Sequence, residues 1–289
     1  MIDVALLPSV QELVAHHGLA AKKSLGQHFL FDAHWLQKIV RAAGNLRGEN
    51  VIEIGPGPGG LTRALLASDA ASVTAVEKDA RCITALQSLR VMYPDRFFLN
   101  EADALTTPLS SLAEAPRSIV ANLPYNVGTQ LVVNWLRDLV LVGPHSWSCM
   151  VVMLQKEVAE RMVATPGSKA YGRLSVLVGW LTDASIAFDV PPGAFHPPPK
   201  VTSSVLVATP RNTPLFPAQL PLLERVVAAA FNQRRKMLRS SLKSLEVDVE
   251  ALCAKAGVDS TLRAEACSIA MFCALAEAFA TLPTSKAKA

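Results

Sequence analysis

The stretch Asn50-Val51-Ile52-Glu53-Ile54-Gly55-Pro56-Gly57-Pro58-Gly59-Gly60-Leu61 decides how the rest of the chain is read. Asn50 to Ile54 is a short apolar run that predicts a buried strand, and the glycines after it predict a tight turn before a helix from Leu61. Gly55, Gly57 and Gly60 fall on the G-x-G-x-x-G spacing, in which missing side chains let a ligand approach the backbone closely. Strand, glycine-rich turn and helix in this order predict a doubly wound α/β fold that binds a nucleotide at the carboxyl ends of its strands.

Working outward, Val73 to Val76 predicts the next strand, and Glu77 closes it at the distance expected of an acid that binds ribose hydroxyls. A nicotinamide dehydrogenase shares these features and competes at this point. Two residues types favour S-adenosylmethionine instead: Glu53 stands two positions before the first glycine, and Pro56 and Pro58 stiffen a loop that would otherwise turn around a pyrophosphate. Phe97 to Leu99 predicts a third strand, followed by Asp103, whose carboxylate is placed to accept the amine of an adenine ring.

A further apolar run, Ile119-Val120-Ala121, ends abruptly in Asn122-Leu123-Pro124-Tyr125. Asn122 offers an amide oxygen, Pro124 fixes its own φ and pushes Leu123 out of the helical region, and Tyr125 supplies a flat ring for stacking. The set suits a planar amine, and it resembles the Asn-x-Pro-Tyr signature of enzymes that methylate the N6 amine of adenine. The ring of Tyr125, rather than its hydroxyl, is expected to be its working part. Acids or acceptors thus close three strands at Glu77, Asp103 and Asn122.

Upstream, residues 1–21 predict a helical lead-in with Val10, Leu13 and Val14 at helical spacing. Lys22-Lys23-Ser24-Leu25-Gly26-Gln27-His28-Phe29-Leu30 follows, with Asp32 as the expected N-cap of the next helix. Downstream, Gly128 to Leu141 predicts a helix, Trp147 to Leu154 a central strand, and residues 173–188 a helix and a strand, so that a mixed sheet of about seven strands closes the domain. The segment Phe195-His196-Pro197-Pro198-Pro199-Lys200-Val201 is too rich in proline for a helix or an inner strand. Phe195 is read either as tucked into the core or as a second stacking plate over the Asn122 pocket, with Lys200 then placed to touch phosphate.

Prolines 210, 214 and 217 mark a boundary, giving residues 1–209 and a smaller, all-helical domain at residues 210–289. Within it, no acid interrupts Arg234 to Lys243. Arg235, Arg239 and Lys243 recur every four residues and are expected on one helical stripe, beside an apolar stripe of Leu238, Leu242 and Leu245. With Arg234 and Lys236 they are candidates for RNA backbone contacts.

Composition sets limits on these readings. Of 289 residues 51% are hydrophobic, yet no run reaches the roughly 18 apolar residues of a membrane span. The N-terminus carries Asp3 early, lacks a basic region and shows no small-residue cleavage site after an apolar core, so no signal peptide is expected. Five cysteines without a Cys-x-x-Cys pair fit reduced thiols in a cytoplasmic protein. His16, His17, His28, His34, His145 and His196 show no ligand spacing, so no metal is expected. The formal charge of +4 is modest, so its clustering at Arg234 to Lys243 matters more than its sum.

Five motifs in order, Leu25-Gly26-Gln27-His28-Phe29-Leu30, Glu53-Ile54-Gly55-Pro56-Gly57, Asn122-Leu123-Pro124-Tyr125, Phe195 to Val201 and Phe231-Asn232-Gln233-Arg234-Arg235-Lys236, resemble those of the small-subunit (16S) ribosomal RNA adenine dimethyltransferases. The resemblance implies a class I, Rossmann-like methyltransferase sheet and S-adenosylmethionine contacts from Gln27, His28, Leu30, Gly55, Glu77, Asp103 and Asn122. It implies catalysis by Asn122, Leu123, Pro124, Tyr125 and Phe195. The implied substrate is a pair of adjacent adenosines in the 3′-terminal hairpin loop of the small ribosomal subunit's 16S RNA, and the implied free protein is a monomer. The family often has Asn where His28 stands. A large-subunit RNA adenine methyltransferase and a non-catalytic ribosome assembly factor stay open as alternatives.

Overall fold

The computed structural model describes residues 8–19 and 27–283; the ends of the expected lead-in at residues 1–7 and 20–21, Lys22, Lys23 and Ser24, and Leu25 and Gly26 of the first motif lie outside them. In chain order come α1 (Val10–His16), β1 (Phe29–Leu30), α2 (Ala33–Ala42), β2 (Asn50–Ile54), α3 (Gly60–Leu66), β3 (Ser72–Glu77), α4 (Ala80–Met92) and β4 (Phe97–Glu101). Then follow β5 (Arg117–Asn122), α5 (Gly128–Leu141), β6 (Cys149–Gln155), α6 (Lys156–Met162), α7 (Arg173–Leu181), β7 (Thr182–Val190), β8 (Phe195–His196) and β9 (Ser203–Pro210). The chain ends in α8 (Leu220–Asn232), α9 (Leu238–Ser241), α10 (Val249–Ala256) and α11 (Ile269–Ala280). The elements group into two compact units, one within residues 1–159 and 185–210, the other within residues 160–184 and 211–289.

The first unit is built on a seven-stranded sheet of order β4-β3-β2-β5-β6-β9-β7. β4, β3, β2, β5 and β6 are mutually parallel, and β9 joins β6 antiparallel, with Gln155 opposite Ser203. Strand order reverses between β2 and β5, the switch point where such sheets bind ligands. β2, β5 and β6 are buried almost throughout, as parallel strands covered by helices on both faces must be. Asp32 caps α2, its carboxylate accepting the His34 N–H at 2.8 Å, and Leu36 and Ile39 face the core. Ser9 and Glu12 form a capping box that opens α1. A separate two-stranded pairing joins distant motifs: Phe29 lies opposite His196 and Leu30 opposite Phe195.

The second unit is helical. Phe231 of α8 packs against Phe272 of α11 and against Tyr171, with ring centroids 5.6 and 5.9 Å apart. A Cβ on Gly179 of α7 would lie 2.8 Å from the Ile269 side chain, so close approach of α7 and α11 depends on that glycine.

Candidate active site

The loop after β2 is held by its glycines. Gly57 has φ +55°, and a Cβ there would lie 3.1 Å from the Phe29 ring; one on Gly60 would lie 2.8 Å from the Leu30 carbonyl oxygen. β1 therefore sits directly on the glycine-rich turn, and any side chain would lift it off. Pro56 and Pro58 carry no N–H, which removes two of the backbone donors that a pyrophosphate would use at this turn. That donor set fits a nucleoside without phosphates.

Glu77 ends β3 with its carboxylate buried. One oxygen accepts the Lys78 and Asp79 N–H groups at 2.8 Å each, and the other accepts the Gly57 N–H at 3.2 Å. Burial raises its pKa while these three donors oppose the rise. Glu53, only 1% exposed, accepts a 2.6 Å hydrogen bond from the Thr62 hydroxyl. Burial pushes its carboxyl up to about 8, and neighbouring Glu77 adds in the same direction, so it is neutral at pH 7. Asp103 is half-exposed; it accepts from the Leu105 N–H at 2.9 Å and pairs with Lys78 at 3.4 Å.

At the end of β5, Asn122 lies opposite Met153, and the Leu123 N–H donates to the Met153 carbonyl at 3.3 Å. The Pro124 carbonyl starts α5 by accepting from Val127 and Gly128. The Asn122 Nδ2 donates to the His28 carbonyl at 3.2 Å, which leaves Oδ1 as the acceptor end of the amide. The His28 Nδ1 donates to the Pro197 carbonyl at 2.8 Å, and its ring lies 5.3 Å from that of Tyr125. Gln27 donates to Asp79 at 3.3 Å; the Arg81 guanidinium holds that carboxyl at about 2. The Tyr125 hydroxyl meets the Ser203 hydroxyl at 2.6 Å.

Gln27, His28, Leu30, Gly55, Glu77, Asp103, Asn122, Leu123, Pro124 and Tyr125 line one cleft. Phe195 does not. It is 4% exposed and belongs to the hydrophobic core with Leu30 and Leu36, because pairing opposite Leu30 turns its ring inward and leaves His196 outside. The stacking plate expected from it is absent over the cleft in this conformation. Lys200 is exposed on the loop before β9. Ser203 and Lys78 also take part in the cleft's polar network, although the sequence reading did not single them out. Among the described residues no group of three or more His, Cys, Asp or Glu side chains is placed to hold a metal ion.

In the second unit the basic run is not one helix, as its four-residue spacing predicts. α8 ends at Asn232, residues 233–237 form a turn, and α9 starts afresh at Leu238. Tertiary backbone pairing breaks the helix: Met237 bridges Arg263, and the Leu238 N–H donates to the Leu262 carbonyl at 2.7 Å. Leu238, Leu242 and Leu245 are buried as the apolar stripe requires. Arg235, Lys236, Arg239 and Lys243 are exposed, whereas Arg234 pairs with Glu265 at 2.9 Å and donates to the Ser168 carbonyl.

The family model described as "Ribosomal RNA adenine dimethylase" matches residues 18–281. Two curated relatives, both described as "Ribosomal RNA small subunit methyltransferase A", come from Sinorhizobium medicae (strain WSM419) and Azorhizobium caulinodans. The first is 54% identical over 272 residues, 93% of this chain and 97% of the relative. The second is 55% identical over 274 residues, 94% of this chain and 93% of the relative. Among solved structures, a dimethyladenosine transferase from Plasmodium falciparum superposes with TM-score 0.71 at 25% identity, covering 86% of this chain and 96% of that one. The 23S rRNA methyltransferase ErmE gives TM-score 0.64 at 27% identity, covering 88% of this chain and 100% of that one.

Proposed function

Because the chain belongs to the ribosomal RNA adenine dimethylase family, we propose that its cleft transfers methyl groups to the N6 amines of two adjacent adenosines in the 3′-terminal hairpin loop of 16S RNA. The carrying observation is the Asn122 amide, whose Nδ2 is committed to the His28 carbonyl and whose Oδ1 is therefore the end that accepts. S-adenosylmethionine, when bound, supplies the electrophilic methyl group. Glu77, at the end of β3 beside the glycine-rich turn, would hold the ribose hydroxyls, and Gln27, His28, Leu30, Gly55 and Asp103 would complete the cofactor's surroundings.

Adenine N6 is a poor nucleophile because its lone pair is delocalised into the ring. Oδ1 of Asn122 and the carbonyl of Leu123 accept its two N–H groups and favour a pyramidal nitrogen, while Tyr125 stacks on the base. Pro124 holds these groups in register. Positioning and electrostatics supply most of the acceleration, and no general base is required before transfer because the methylated nitrogen becomes acidic.

The division of labour we propose keeps methyl transfer in residues 1–209 and RNA binding in residues 210–289, with Lys200 adding a backbone contact. The reading makes the protein cytoplasmic and, when free, a monomer; no helix among the described residues is long and apolar enough to cross a membrane. Incubation with labelled S-adenosylmethionine and under-methylated small subunits, followed by mapping of the modified bases, tests the proposal. Label in two adjacent adenosines of the 3′-terminal hairpin supports it; label confined to other bases of the small-subunit RNA, or none, overturns it.

A further inference from the structure

The Tyr125 ring has a second anchor that stacking alone does not require. Its hydroxyl lies 2.6 Å from the Ser203 Oγ, and Ser203 is fully buried at the start of β9. Ser203 is itself fixed: it sits opposite Gln155 of β6, and the neighbouring Thr202 carbonyl accepts the Lys156 N–H at 3.0 Å. The next side chain, Ser204, donates to Asp189 at 2.6 Å, and Asp189 pairs with Lys156 at 2.6 Å. β6 is also the strand to which Asn122 and Leu123 are tied, through Met153. The amine-accepting groups and the Tyr125 hydroxyl are thus referenced to one rigid pair of strands.

We propose that Ser203 is a positioning residue for methyl transfer, acting through the Tyr125 hydroxyl. This rests on the reading that Tyr125 stacks on the target adenine. A phenol ring attached only by its backbone end can pivot about its side-chain torsions. Tied at the hydroxyl as well, it presents one face at one angle, and a base lying on it is brought to Asn122 in register. Burial raises the phenol's pKa, so the hydroxyl keeps its proton and the bond at neutral pH. The hydroxyl of Tyr125, and not only its ring, is then part of the machinery.

The two ends of this bond can be removed independently. Tyr125→Phe, Ser203→Ala and the double variant are compared in single-turnover methylation of under-methylated subunits, alongside cofactor affinity and thermal unfolding. Each single variant is expected to slow methyl transfer about tenfold, the worth of one hydrogen bond used for orientation, with the double variant no slower than either. Cofactor affinity stays unchanged, and Ser203→Thr, which keeps a hydroxyl, recovers most of the rate. Wild-type rates in Tyr125→Phe, or multiplied losses in the double variant, overturn the proposal even where Ser203→Ala is impaired through packing. Tyr125→Leu separates the underlying reading: if it retains full activity, the ring does not stack and that reading fails; if it is inactive while Tyr125→Phe and Ser203→Ala are unimpaired, only the positioning role fails.

Discussion

The side-chain amide of Asn122 is oriented by the backbone of His28, to whose carbonyl its Nδ2 donates at 3.2 Å. A residue at the end of a central strand thereby takes its direction from a segment placed over the glycine-rich turn by β1 and β8. The His28 ring secures that segment in turn, through Pro197. Cofactor cleft and amine acceptor are in this way one construction, and disturbing the segment around His28 should affect both.

Glu77→Ala should weaken S-adenosylmethionine binding by roughly 10- to 100-fold, the range of hydrogen bonds to a charged group. Calorimetric titration of the cofactor reads this directly. Unchanged affinity would remove Glu77 from the ribose site, and tighter binding of NADH than of S-adenosylmethionine would favour a dehydrogenase.

Exposed Arg235, Lys236, Arg239 and Lys243 should contribute to RNA affinity without sequence preference. Replacing them by Ala should flatten the log-affinity against log-salt slope by about 0.7–1 per lost phosphate contact. Arg234→Ala should behave differently, since its guanidinium is spent on Glu265 and Ser168: a loss of up to about 1 kcal/mol in stability, with little change in slope. Filter binding over a salt series, paired with thermal unfolding, distinguishes the two kinds of arginine.

Glu53 makes stability depend on pH. Its folded pKa of about 8 lies above the ordinary value of 4.5, so the folded protein binds a proton that the unfolded chain has released between those values. Its stabilising contribution is full below 4.5 and is lost as pH rises through 8. Glu53→Gln should remove this dependence, and the gap in its favour should widen with pH at up to about 1.4 kcal/mol per pH unit. Denaturant unfolding without cofactor from pH 5 to 9 measures it; parallel profiles for the two proteins would contradict the assignment.

What could be read in the sequence were features written in neighbouring residues. The run from Asn50 to Gly60 carries its strand and its turn in apolar character and glycines, and β2 with its turn stands there. Asn122 to Tyr125 carries its loop in Pro124. Phe195 was ambiguous because its direction depends on pairing with Leu30, far away in the chain, and two-residue strands leave no periodicity. The break in the basic run was hidden for a similar reason: no glycine or proline lies between Phe231 and Leu245, and the helix is interrupted by a bridge from Met237 to Arg263. The Ser203 partner of Tyr125 was concealed because a serine beginning a strand looks like any other.

The most direct measurement is single-turnover methylation of under-methylated small subunits by Asn122→Ala at saturating cofactor, with mono- and dimethyladenosine counted separately. If Oδ1 accepts a hydrogen bond that strengthens as N6 becomes pyramidal, the rate should fall roughly 10²–10³-fold, comparable to loss of one oxyanion-hole donor, while RNA binding survives. Cofactor affinity measured alongside separates any loss of binding from loss of rate. A wild-type single-turnover rate in Asn122→Ala would mean that this loop is only a turn and that the chemistry lies elsewhere.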